Sequence, residues 1–144
     1  MQQRRLRVLF VSQGQAERMR PPRNCALISI TDLSAPLAVL RPGWSSILRL
    51  AFDDVDPITF PGMNRDFRSL SGDQAEELAG YVVSQLPRCA RIVVHCRHGI
   101  SRSAGIAKAI AEATGATFPQ GYAEYNRHVY KTTLSALARA IHAA

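Results

Sequence analysis

The chain has 144 residues, 47% of them hydrophobic and 20% charged, and no apolar run approaches the ~18–20 residues that span a bilayer. That balance excludes a disordered or membrane-spanning chain and suits one domain, 1–144, long enough to bury a core. The net charge is +7, and all but Lys108 and Lys131 of the 18 basic residues are arginine, which favours anionic partners. No block of like charges long enough for a dedicated nucleic-acid arm is present.

In chain order, Arg4-Arg5 is followed by only a short apolar run, so 6–12 (LRVLFVS) reads as a first strand and not as a secretory signal. Residues 13–20 suit a helical turn stopped by Pro21-Pro22. A second strand covers 25–30 (CALISI), closed by Thr31-Asp32, and 33–45 is irregular with Trp44 as a core anchor. Residues 46–52 alternate as a third strand, and 58–70 reads as a long loop with Arg65 and Arg68 along it. Ser71 and Gln74 form a capping-box pattern. The helix they open carries Ala75, Leu78, Ala79, Val82 and Leu86 on one face and ends at Pro87. A fourth strand covers 91–95, and a helix runs from 102 to 114 up to Gly115. Two more helices are expected, one after Pro119 with Tyr122, Tyr125 and Val129, the other with Leu134, Leu137, Ala138 and Ile141. Strands alternating with helices predict an α/β fold, a central, mainly parallel sheet of about four to five strands flanked by helices.

One stretch carries chemistry. Ile92-Val93-Val94 is a buried strand, His95-Cys96 ends it, and Arg97-His98-Gly99-Ile100-Ser101 forms a tight loop into Arg102-Ser103 at a helix start. The first turn of a helix presents unpaired N–H groups with the helix dipole behind them, a ready anion site. The same field favours a thiolate. Cys96 is therefore the candidate nucleophile, and Arg102 supplies a planar fork for two phosphate oxygens. A Cys-x5-Arg spacing alone is weak in so arginine-rich a chain. The strand before it, Gly99 within it and the helix after it give it weight. His95 is read as orienting the loop from behind, not as a base.

The pattern His95-Cys96-x5-Arg102-Ser103 resembles the signature loop of the cysteine-dependent protein tyrosine and dual-specificity phosphatases. The resemblance covers about 90–110. It implies a phosphotyrosine-phosphatase-like fold and a phosphomonoester hydrolase working through a cysteinyl-phosphate intermediate. By that resemblance Cys96 attacks phosphorus, Arg102 clamps the equatorial oxygens and Ser103 hydrogen-bonds the sulfur. Arg97, His98, Gly99, Ile100 and Ser101 bind the phosphate, with the Arg97 and His98 side chains at the rim. Substrates would be phosphorylated proteins or other phosphomonoesters, with phosphate, vanadate and sulfate as inhibitory oxyanions and no cofactor or metal.

The resembled family also uses an aspartic acid to protonate the leaving oxygen. Asp53, Asp54 and Asp56 crowd the end of the third strand, and the alternation Leu50, Phe52, Asp54 puts Asp54 on the inward face. Asp54 is the candidate acid. Asp56 or Asp66 competes if that register is wrong, because the 57–70 segment is longer than the family's spacing. A metal site from the three aspartates lacks a neighbouring histidine. Three cysteines without paired spacing argue against a disulfide framework and for the cytoplasm, with a redox bridge from Cys25 or Cys89 to Cys96 left open. Alternatives are a phosphoinositide or RNA 5′-triphosphate phosphatase of the same fold, a rhodanese-type sulfurtransferase, and a non-catalytic phosphate-binding module.

Overall fold

The computed structural model describes residues 5–62 and 67–143. In chain order these form β1 (Arg7–Ser12), α1 (Gln13–Arg18), β2 (Cys25–Thr31), β3 (Ser46–Ala51), α2 (Gly72–Gln85), β4 (Arg91–Cys96), α3 (Arg102–Thr114) and α4 (Arg127–Ala143). The strands pair all-parallel in the order β1-β4-β2-β3, so the fold is α/β with a four-stranded parallel sheet flanked by helices. The two central strands are the most continuously apolar, as strands covered on both faces must be: every residue of β2 is buried, and β4 is buried from Ile92 to Cys96.

The two faces are covered unequally. Ala26, Ile28, Ile30, Leu50, Phe52, Ile92, Val94 and Cys96 point to the face on which α2, α3 and α4 lie. The opposite face shows Cys25, Leu27 and Val93, covered by Trp44 with Met19 and Leu40. The alternation of β4 therefore sends Cys96 toward the helices and His95 away from them. Each fully buried Leu or Ile contributes roughly 1.5–3 kcal/mol, and the helix side carries most of them.

α2 begins as expected, with Ser71 and Gln74 in a reciprocal capping box and Ala75, Leu78, Ala79 and Val82 buried. α3 ends at Gly115, whose φ of 82° is left-handed. The expectation of two helices after Pro119 is corrected. A single helix, α4, starts only at Arg127, and Tyr122 and Tyr125 lie in the segment before it. That segment is held by contacts outside itself. Phe118 stacks on Phe10, and the Lys108 ammonium sits 5.0–5.6 Å from the ring centroids of Phe118, Tyr125 and Tyr130. The long loop is described up to Gly62 and from Phe67, so Arg65 and Asp66 lie outside the described residues. Among the described residues no helix is long and apolar enough to cross a membrane.

Candidate functional site

The loop after β4 closes against the start of the chain. Gly99 has φ 71°, and a Cβ there would overlap the backbone of Val11 and Ser12, so conformation and space both demand glycine. Three loop carbonyls are engaged from outside. Arg97 O accepts from Gln13 N (3.3 Å), Ile100 O from Tyr122 OH (2.5 Å) and Ser101 O from Asn126 N (3.0 Å). With those carbonyls tied, the amides of the loop and of the first α3 turn are left for an anion. Among the described residues no side chain caps α3.

Cys96 ends β4 and is buried; its thiol donates to Ser103 Oγ at 3.1 Å. The contact reverses when sulfur is a thiolate, and the hydroxyl then donates to it. Arg102, at 3% exposure, extends its guanidinium across the sheet end. Its Nη1 donates to Phe52 O (2.7 Å), just past β3, and lies 2.8 Å from Asp32 Oδ1, just past β2. Arg97, His98 and Ile100 are the exposed rim. His95 is fully buried behind the loop and shares a 2.6 Å hydrogen bond with Ser29, its register partner on β2. Burial pushes its imidazole below the ordinary histidine range.

The three aspartates after β3 separate into three jobs. Asp53 pins two loops, accepting from Leu33 N (3.4 Å) and Arg68 N (3.1 Å). Asp56 accepts from Ile58, Thr59 and the first two amides of α4, Arg127 N (2.8 Å) and His128 N (3.2 Å). Its burial acts to raise the carboxyl, but the bonds from Arg127, Thr59 and His128 outweigh it and hold Asp56 below the usual carboxylate range. Asp54 alone touches the loop. Its Oδ1 accepts from Ser101 Oγ (2.9 Å) and Asn126 Nδ2 (3.0 Å). Asp54 lies beyond the end of β3 and, unlike the buried Leu50 and Phe52, is exposed, and the three aspartates take three separate sets of partners. Among the described residues no group of three or more His, Cys, Asp or Glu is placed to hold a metal ion.

Two residues missed in the sequence reading complete the site. Asn126, 2% exposed, binds Asp54 Oδ1 and Val55 O through Nδ2 and accepts Val129 N on Oδ1, so it ties the aspartate segment to the start of α4. A later helix start would have exposed it as a cap residue. Asp32 closes β2, and ligands in parallel sheets sit beyond such strand ends. Two clefts meet at Asp54 and Val55: one of about 500 Å³ with Phe60, Ser101 and Tyr125, another of about 190 Å³ with Asp32, Asp53 and Phe67. A larger hollow of about 720 Å³ follows β1 beside Gly115, Thr117 and Pro119, and neither Cys96 nor Arg102 lines any of these three.

All three cysteines are free. Cys25 pairs in register with Arg91, at the far end of β4 from Cys96, and Cys89 precedes that strand. Five residues of strand at ~3.3 Å each put them roughly 16 Å away. A bridge needs Cα atoms within about 7 Å, so the redox bridge to Cys96 is corrected. Burial pushes the Cys25 thiol up to about 11. No protein-family model and no curated protein matches this chain.

Proposed function

We propose that the chain is a cysteine-dependent phosphomonoester hydrolase, acting on phosphotyrosine or on mixed phosphotyrosine and phosphoserine/threonine proteins in the cytoplasm. The observation that carries the reading is the docking of Asp54 onto the Cys96–Arg102 loop through Ser101, while Asp53 and Asp56 are occupied elsewhere. A nucleophile, a guanidinium fork and a proton donor then share one anion cradle. In the first step the Cys96 thiolate attacks phosphorus and the P–O bond breaks. Its electron pair leaves on the ester oxygen, which takes the Asp54 proton. In the second step water attacks the phosphocysteine and gives its proton to the Asp54 carboxylate. The S–P bond breaks, and sulfur departs as a thiolate steadied by the Ser103 hydroxyl. Arg102 holds two equatorial oxygens in both steps.

The test is turnover of an aryl phosphate, of phosphotyrosine and phosphoserine peptides, of a phosphoinositide and of triphosphorylated RNA, with thiosulfate-to-cyanide transfer measured alongside. Wild type is expected to be fastest on the aryl and phosphotyrosine substrates, blocked by vanadate and indifferent to chelators. Cys96→Ser is expected to lose turnover and keep the fold. Residual turnover within about tenfold of wild type would remove Cys96 as nucleophile, and sulfur transfer without phosphatase activity would replace the reading.

A further inference from the structure

All four strands run the same way, so the segments that follow β2, β3 and β4 leave from one end of the sheet, the end that holds Cys96. Those segments carry exposed apolar side chains: Leu33 after β2, Ile58, Phe60 and Phe67 after β3, and Ile100 after β4, each 44–57% exposed. Single exposed hydrophobes are ordinary, but these five are gathered. Leu33 N and Arg68 N, the latter next to Phe67, donate to the two oxygens of Asp53. Phe60 shares one cleft with Ser101, which follows Ile100, and Phe67 shares the other with Asp54. Both exposed phenylalanines of the described chain therefore stand around the anion cradle.

Arginines are interspersed with them. Arg68, Arg97 and Arg127 are exposed, the last at the helix start that Asp56 caps from this end. Asp53 and Asp56 serve backbone amides and Asp32 lies 2.8 Å from Arg102. Of the four aspartates here Asp54 alone is exposed, and the net charge of +7 has the sign of the arginines. Apolar side chains on separate loops with guanidiniums between them do not form one apolar surface for a folded partner. A lipid interface suits both kinds: apolar groups enter the acyl boundary while guanidiniums stay at headgroup depth. We infer that this end of the molecule docks onto an anionic phospholipid bilayer, with Phe60 and Phe67 inserted and Arg68 and Arg127 against lipid phosphates. Docking is independent of the phosphatase reading, and it turns the cradle toward the membrane surface.

The experiment is cosedimentation of the full chain with sucrose-loaded vesicles of phosphatidylcholine, with and without phosphatidylglycerol at about one lipid in three. Wild type is expected to partition at least ~10-fold more strongly onto the anionic vesicles and to be released as salt rises. Phe60→Ser with Phe67→Ser should cut that partition by ~10-fold or more, because two apolar side chains leave the acyl boundary. Arg68→Gln with Arg127→Gln should cut it roughly 25-fold, at about fivefold per charge. Leu9→Ser, at a comparably exposed position within β1, should leave it unchanged. Urea midpoints check that each variant folds. Phe60→Trp gives a reading that needs no loss of binding. Lipids brominated on the acyl chains should quench the new indole, and quench far less the wild-type Trp44, which is buried on the face of the sheet away from α2, α3 and α4.

Equal partition onto neutral and anionic vesicles, an unchanged partition in Phe60→Ser with Phe67→Ser, or no added quenching in Phe60→Trp would each overturn the inference. If wild type ignores vesicles and the two serine changes instead dissolve a dimer seen by sedimentation velocity, the face is a contact between copies and the bilayer reading falls. If vesicle binding holds while no phosphate ester is turned over, docking stands and the phosphatase reading fails.

Discussion

Asp54 uses its two oxygens differently. Oδ1 is held by Ser101 and Asn126, and among the described residues Oδ2 accepts no hydrogen bond. On the proposed reading, Oδ2 is the oxygen that delivers the proton to the leaving group. Proton delivery matters most when the leaving oxygen is basic, so Asp54→Asn should lose ~10²–10⁴ in kcat on phosphotyrosine. The loss should be much smaller on a phenol that departs readily as an anion. Asp53→Asn and Asp56→Asn, whose oxygens serve backbone amides, should stay close to wild type on both substrates. A leaving-group slope that changes in Asp56→Asn or Asp66→Asn, and not in Asp54→Asn, would move the acid onto the long loop.

At the scale of elements, the segment after β3 and the start of α4 form one unit with Asp56 as its fastener. The first amides of a helix lack intrahelical partners, and Asp56 takes those of Arg127 and His128 from a position 71 and 72 residues earlier in the chain. Its carboxylate also faces the positive end of α4. Asp56→Ala removes an N-terminal cap and should destabilise the protein by ~0.5–2 kcal/mol. The urea midpoint measures the loss. A midpoint equal to wild type would show that water replaces the carboxylate at no cost. The β1–α1 junction serves the loop in a comparable way. Ser12 and Gln15 form a capping box there, and the same turn supplies the surface against which Gly99 fits.

At the scale of the whole molecule, the buried pair Ser29 and His95 joins the two central strands, and burial keeps that imidazole neutral. The folded pKa lies below the ordinary 6.5 of the unfolded chain. Stability is therefore full above about pH 6.5 and declines as the pH falls below it toward the lowered folded value, because only the unfolded state takes up the proton there. His95→Asn keeps a hydrogen-bonding side chain and removes this titration. Urea midpoints between pH 5 and 8 should slope downward toward acid in wild type, and less so in the variant. Equal slopes would place the acid sensitivity on other groups.

The local features of this protein were determined by its sequence. The apolar run 92–94, the glycine at 99 and the alanine-rich segment after Ser103 specify strand, tight loop and helix from neighbouring residues alone. The period-two facing of Leu50 and Phe52 was likewise legible, whereas β3 ends at Ala51 and the position of Asp54 is set by its bonds to Ser101 and Asn126. Tertiary structure decided what those local patterns meet. The strand order β1-β4-β2-β3 sets the ends of β2 and β3 beside the loop after β4, and only that order brings Asp32 and Phe52 O to Arg102. The start of α4 was hidden for a similar reason. Asn126 caps it locally on Val129 N, but Asp56 caps it across a fold in which the segment 115–126 is held by Phe10, Lys108 and Ile100, none of them its chain neighbours. Hydrophobic period and capping pattern describe a residue's nearest few neighbours. A partner 50 or 70 residues away becomes a neighbour only when the sheet has formed.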